Sequence, residues 1–483
     1  MPCTTVLVGR KASNDGSTMI SRTDDGHFDV KKIIVVEPKD QPKKYKSKIS
    51  HVEIPLPENP LRYTSCPSVD PKNGIWAATG INAANVGMTA TETITSNPRV
   101  LSADPLVEYK KAKTRREKDI PGGIGEEDIV VLVLPYIHSA REGVLRLAEL
   151  LETYGTYETN GIAFNDEKEV WWMETIGGHH WMARRIPEDR VVLMPNQFGM
   201  DEFDLEDAFG KQEAHLCSKD LKEFIACNHL DLNQNGVFNP RYVFGSRRDM
   251  DHIYNTPRAW FMGRYLTPDS HVWEGPNAEF GPESDNIPWS LVPDRKVAVE
   301  DVQYLLSGHY QGTPYDPYTN HDTGKRGMYR SIGINRTGVT SICQIRPDKA
   351  QPGLEWICFG STAFGAFLPL YPNVAKMPAY VSSVTLDTST ENFYWGSRLI
   401  GALADHNFNT CMQEIDRYQE AVAVEGRKIV AECDAKGTAD PAVLAQANEK
   451  LCAMAKEKTT QTLNKVLLDA SQHMKNGYNL ADH

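Results

Sequence analysis

Cys3, Arg22 and Asp25 stand in one stretch near the start of the chain, CTTVLVGRKASNDGSTMISRTDDG, and their types suit nucleophilic attack on an amide. A cysteine freed at a chain terminus carries its own base, because the α-amino group titrates near about 7.7–8.0, well below a lysine. The thiol can then attack a carbonyl, form a thioester and release it to water without help from a histidine. The residues between read as two short strands joined by the turn SNDGS, a hairpin that returns Arg22 and Asp25 to the Cys3 end. There Arg22 would lower the thiol pKa, and Asp25 would hold the terminal ammonium or a substrate amine. Each residue taken alone has a plainer reading, the cysteine as a small buried side chain and the charges as a weak surface pair.

This chemistry requires Cys3 to become the first residue, so Met1 and Pro2 are expected to be removed as a short propeptide. Methionine removal leaves one further cut at Pro2–Cys3. Attack of Cys3 on the Pro2 carbonyl, or a separate aminopeptidase, would make it.

Other motifs carry less. The segment DLNQNGVFN, 231–239, imitates the start of a calcium loop, but Tyr242 stands where a bidentate glutamate is needed, so it reads as a solvated turn. His179 and His180 in GGHHW, read as part of a strand, would point to opposite faces and could not share a metal, which favours a structural or surface role. HExxH, GxSxG, a Walker loop, a strand-borne GxGxxG and CxxC are all absent from the sequence.

The elements that must position Cys3 are mostly strands. TTVLVGR, STMISR, KIIVVEP, HVEIPL, GIWAATGIN and VGMTATETI form a first set of meanders. GIAFND, KEVWWMETI, HHWMARRI and RVVLMPN form a second, and VTSICQIR, LEWICFG and AFGAFLPLY a third. A helix is expected over about 126–154, acidic in its first turn and kinked or divided at Pro135. The Pro-, Asp- and Asn-rich segment from about 197 to 333, with short helical pieces and aromatics, reads as long surface excursions, a usual place for substrate-shaping loops. Asp440-Pro441 caps a long amphipathic helix in the tail, a packing or self-association element by its pattern. This order, without a βαβ rhythm, predicts an α+β fold of two antiparallel sheets with helices outside them.

Composition agrees with a globular protein. Apolar residues are 40% and charged residues 24%, and the formal net charge of -12 argues against nucleic-acid or anionic-membrane partners. The nine scattered cysteines read as reduced and mostly buried. No apolar run is long enough for a membrane helix and no signal peptide is evident, so a cytoplasmic protein is expected.

Taken together the motifs resemble the N-terminal-nucleophile (Ntn) hydrolases of the choloylglycine-hydrolase type, and among them the C69 dipeptidases of the dipeptidase A group. The opening stretch, GINAANVGMTATET, EEDIVVLVLPYIHSAREGV, NDEKEVWWMETIGGHHWMARRIPED, MPNQF, RSIGINRTG and ENFYWGSRLIGALAD carry the likeness, from Cys3 to about Asp405. The resemblance implies a four-layer αββα sandwich and hydrolysis of dipeptides without metal or cofactor. It divides the chain into a propeptide (1–2), an Ntn domain over 3–395 with an insertion at about 197–333, and a helical region over 396–483. It makes Cys3 nucleophile and base, Arg22 and Asp25 its neighbours, Asn196 the oxyanion residue and Arg336 the later site arginine, with Arg330 close enough to compete. Where bile-salt hydrolases of this type carry an asparagine, this chain reads MTATETI, which places Glu92 or Thr93 near the substrate and suits a free ammonium better than a bile acid. An amidase for penicillin V or a conjugated acid, or a silent peptide-binding or scaffold member, are the rival expectations. Self-association through the helical regions is a further one.

Overall fold

The computed structural model describes residues 3–26, 29–234, 236–321, 323–348 and 351–474; the expected propeptide, 1–2, lies outside them, as does Asn235 of the calcium-like turn. Two antiparallel sheets form its centre. The first contains β1 (Cys3–Val8) and β2 (Thr18–Asp24), a hairpin as expected. The second contains β3 (Thr79–Ile81), β4 (Gly87–Thr93), β5 (Asn160–Asn165), β6 (Val170–Thr175) and β7 (Trp181–Arg185). β8 (Val191–Met194) leaves that meander and joins the first sheet beside β1. β9 (His215–Cys217) completes the second sheet, and β10 (Ser290–Leu291), β11 (Val339–Ile345), β12 (Leu354–Phe359) and β13 (Leu368–Leu370) complete the first. The orders are β10-β8-β1-β2-β11-β12-β13 and β9-β7-β6-β5-β4-β3.

The side-chain alternation of the strands sorts the interior into three cores. Leu7, Ile20, Ile81, Ala163, Trp172 and Val192 come from both sheets and pack between them. Their sequence neighbours Val6, Val8, Met19, Val191 and Leu193 face the other way, into a core shared with helices. These helices are α2 (Thr256–Leu266), α3 (Val299–Leu306), α4 (Phe393–Ala404), α5 (Phe408–Asp434) and α6 (Pro441–Gln472). On the second sheet Ile162, Phe164, Trp171 and Met173 pack instead on α1 (Ala140–Tyr154) and the short helical turn before it. Each sheet is thus covered by its neighbour on one face and by helices on the other, which removes both apolar faces from water.

Parts of three expectations need correction. The helix expected over 126–154 is divided at Pro135, as its proline foretold: a turn at Ile129–Val133 runs into a 3-10 segment containing Pro135, and α1 starts anew where Ser139 Oγ accepts the Glu142 amide at 3.2 Å. The acidic residues before it do not serve a helix dipole. Glu127 accepts the amides of Lys48 and Ile49 and the Ser47 hydroxyl, and Asp128 accepts the Tyr45 hydroxyl, so these buried carboxylates anchor the 45–49 segment.

The segment 197–333 is more than surface excursion, because α2 and α3 bury Trp260, Phe261, Met262, Val302 and Leu305 against the first sheet. The short helical pieces expected there are present, and two of them belong to the core.

His179 and His180 lie in the turn before β7 rather than on a strand, so their rings are not forced apart. Both Nδ1 atoms meet the carboxylate of Asp104, at 3.1 and 2.7 Å, which makes the pair a structural clasp.

No disulfide joins any of the nine cysteines, and only Cys227 is exposed. No helix among the described residues is long and apolar enough to cross a membrane.

Candidate active site

Cys3 opens β1 and is wholly buried. The hairpin register sets it opposite Asp24, and Thr5 opposite Met194, so continuing past the end of β8 brings Asn196 alongside Cys3. Strand alternation turns Cys3, Thr5 and Arg22 toward the second sheet. Arg22 Nε and Nη2 lie 3.2 and 3.0 Å from Cys3 Sγ, while Nη1 donates to the backbone carbonyls of Ala90 and Ala78 at 3.0 and 3.4 Å. Nη2 also forms a short ion pair with Glu126, and Asp24 lies 3.5 Å away. Lys31, fully buried, pairs with Asp24 at 3.1 Å. Cys3 Sγ and the carboxylates of Asp24 and Glu126 come within 4.8 Å of one another, donors suited to a cation, and the Arg22 guanidinium is the cation among them.

Burial pushes the Cys3 thiol far above its ordinary range; Arg22 pulls it down, and Glu92 and Glu126 push it up further. Burial also opposes the charge on Arg22, but the Cys3 sulfur, Asp24 and Glu126 outweigh it and hold the guanidinium protonated. A thiol in this setting needs a base to become a nucleophile.

Asn196 is fixed by four partners. Its Oδ1 accepts the Cys3 amide at 3.1 Å and Arg258 Nη2 at 2.7 Å; its Nδ2 donates to Glu92 Oε1 at 2.8 Å and to the Thr93 carbonyl at 3.0 Å. Two donors on one side and two acceptors on the other leave the amide a single orientation. Glu92 reaches it because β4 carries a bulge between Ala90 and Glu92, which re-aims the side chain toward the first sheet. Its other oxygen accepts Thr5 Oγ1 at 2.8 Å, so both carboxyl oxygens are engaged within the protein. Burial is the main cause that raises Glu92 to about 8, and Arg258 and the Thr5 hydroxyl only partly counter it.

Asp25 accepts the hydroxyls of Thr337 and Thr23 at 2.7 and 3.0 Å and forms a short ion pair with Arg330. Arg330, and not Arg336, therefore meets Asp25. Arg336 reaches the Tyr254 hydroxyl at 3.1 Å.

The residue that sequence reasoning missed is Arg258, fully buried in the first turn of α2. Its Nη1 donates to the Cys3 carbonyl in a short hydrogen bond and to Thr4 Oγ1 at 2.6 Å. Its Nη2 donates to Asn196 and, at 2.8 Å, to Asn255 Oδ1. Asn255 in turn brackets the Asn196 backbone, accepting its N–H and donating to its carbonyl, each at 3.1 Å. Burial and the neighbouring Arg330 lower Arg258 to about 10, which still leaves it charged at neutral pH. One signal was readable: NTPR opens a helix with proline in its first turn, where an arginine opposes the helix dipole and so needs another reason to be there.

The site thus sets a buried thiol under a forked guanidinium, beside a rigidly held asparagine amide. The sequence signature of peptidase family C69 matches residues 2–421. Over their whole lengths the chain is 48% identical to a "Dipeptidase" of Bifidobacterium longum (strain NCC 2705). It is 49% identical to a "Probable dipeptidase A" of Streptococcus pyogenes serotype M18 (99% of this chain, 98% of that one), and 40% identical to "Dipeptidase A" of Lactobacillus helveticus (99% of each). The chain belongs to peptidase family C69.

Proposed function

We propose that this protein is a dipeptidase, a cysteine-type Ntn hydrolase whose nucleophile is Cys3 once residues 1 and 2 are removed. The observation that carries the reading is the two-pronged contact of Arg22 with Cys3 Sγ at the first residue of β1. The names of relatives aligned over the whole chain supply the substrate class. The succession of helices, sheet, sheet and helices supports the four-layer αββα architecture of that hydrolase class.

In this mechanism the freed α-amine of Cys3 takes the thiol proton and the thiolate attacks the scissile carbonyl. Collapse of the tetrahedral adduct breaks the C–N bond, and the departing amine takes the proton from the Cys3 ammonium. Water, deprotonated by the same amine, then opens the thioester and returns the thiol. Arg22 stabilises the thiolate. Asn196 serves the oxyanion from its Nδ2, which requires substrate to displace one of its present acceptors, Glu92 or the Thr93 carbonyl. Arg258 fixes Cys3 and Asn196 relative to each other, and Asp25 with Arg330 forms the adjoining wall.

Intact mass and activity of the wild type beside Cys3→Ala test the reading. The expected wild-type chain begins at Cys3 and cleaves unblocked dipeptides in preference to N-acylated ones, and the alanine variant is inert. A wild type that retains Pro2 and cleaves no dipeptide would refute it.

A further inference from the structure

We propose that Arg336 is the receptor for the free α-carboxylate of the substrate, the group that makes the enzyme select dipeptides over longer peptides; this rests on the dipeptidase reading above.

The backbone around Arg336 is tied to the site on both sides. Arg398 Nη1 donates to the carbonyls of Asn335 and Thr337, at 2.6 and 3.4 Å, and the Thr337 hydroxyl donates to Asp25. The half-buried Arg336 side chain then runs to Tyr254. The Tyr254 ring lies 5.0 Å from the Arg330 guanidinium and 5.3 Å from that of Arg258, which binds the Cys3 carbonyl. Contacts therefore lead from Arg336 through one aromatic ring to the nucleophile. Gln197, Asp251 and His252, chain neighbours of Asn196 and Tyr254, line a cleft of about 240 Å³.

Charge decides what the ring of residues would accept. Behind the thiol, Arg22 and Lys31 are matched by Glu126 and Asp24. On the Asn196 side stand Arg258, Arg330 and Arg336, against Asp25, which is committed to Arg330, and Asp251, which accepts the Asn255 side-chain amide at 2.6 Å. Glu92 is occupied by Thr5 and Asn196, and its burial favours the neutral form. Among the described residues Arg336 has no carboxylate partner and spends one N–H on a phenol. A guanidinium with a free edge beside a surplus of positive charge fits a carboxylate in bidentate fashion. In a dipeptide that carboxylate is three bonds from the scissile carbon. In a longer peptide a neutral peptide group takes its place, leaving the charge unmet.

The test compares a dipeptide with its C-terminal amide. In the wild type, kcat/KM should favour the free acid by roughly 10- to 100-fold, the range for a hydrogen-bonded charge. Arg336→Met should lose that factor on the acid, chiefly through KM, and change little on the amide, with Arg336→Lys in between. Tyr254→Phe, which frees the guanidinium from its positioning contact, should weaken the preference without reversing it. Calorimetric binding of both ligands to Cys3→Ser, with and without Arg336→Met, reads the same discrimination without turnover. Equal losses on acid and amide, or Cys3→Ser binding that ignores Arg336, would overturn the assignment. A wild type with Cys3 exposed that turns over no dipeptide counts against the dipeptidase reading alone, because the binding measurement still decides the role of Arg336.

Discussion

Arg22 contacts Cys3 Sγ through two N–H groups, at 3.2 and 3.0 Å, in a setting from which both side chains are all but excluded from water. Screening there is weak, so the guanidinium acts on the thiol more strongly than a surface arginine would. Arg22→Lys keeps a cation for Glu126 but loses the fork. The expected result is slower alkylation of Cys3 by iodoacetamide at neutral pH, with its pH profile displaced upward, and a fall in kcat/KM of about 100-fold or more. An unchanged alkylation profile would show that Arg22 does not tune the sulfur.

Arg258 is the joint between Cys3 and Asn196. Arg258→Met leaves the Cys3 carbonyl and the Asn196 and Asn255 side-chain oxygens without their common donor. Loss of stability by about 3 kcal/mol or more is expected, since buried acceptors stripped of a charged donor cost about 1–3 kcal/mol each. Urea unfolding measures it. Arg258→Lys should recover part of the stability and little of the activity, because one ammonium cannot span all these oxygens.

These two arginines mark what a sequence discloses. Arg22 was legible because its hairpin is local: the SNDGS turn fixes the register that returns it to Cys3. Asn196 was placed only by resemblance, since nothing in RVVLMPN says that the strand leaves its own meander to pair with β1. Arg258 depends on the packing of α2 against the first sheet, a long-range event that no spacing encodes. Glu92 was set near the substrate by resemblance, from MTATETI standing where bile-salt hydrolases carry an asparagine; the bulge that turns it onto Asn196 is a backbone irregularity invisible to periodicity.

Glu92 gives a pH prediction. Its carboxyl titrates at about 8 in the folded protein against 4.5 as its ordinary value, so between these the unfolded chain has released a proton that the folded chain keeps. Stability from neutral Glu92 is therefore complete below about 4.5 and drains away as pH rises to about 8. Glu92→Gln cannot ionise. Its stability relative to wild type should improve steadily from pH 5 to pH 8, by a few kcal/mol at most given about 1.4 kcal/mol for each pH unit. Urea unfolding of both proteins at pH 5, 6.5 and 8 checks this, and a constant difference would reject the buried titration.

The tail offers a test of a different kind. By sequence α6 reads as a packing or self-association helix, but Asn448, wholly buried on it, accepts the Tyr371 amide through Oδ1 and donates to the Tyr371 carbonyl through Nδ2, both at 2.9 Å. This side chain pairs with backbone just past β13, where a continuing strand would otherwise bond, and so binds the tail to the first sheet. Asn448→Ala should cost about 2–4 kcal/mol, because two buried backbone groups lose their partners together. Leu468→Ser, on the exposed face of the same helix, should change stability by less than about 0.5 kcal/mol. Thermal unfolding at several protein concentrations separates the cases. A loss in Asn448→Ala that does not depend on concentration makes α6 part of the chain's own core, whereas a loss that vanishes on dilution would make it an element of association.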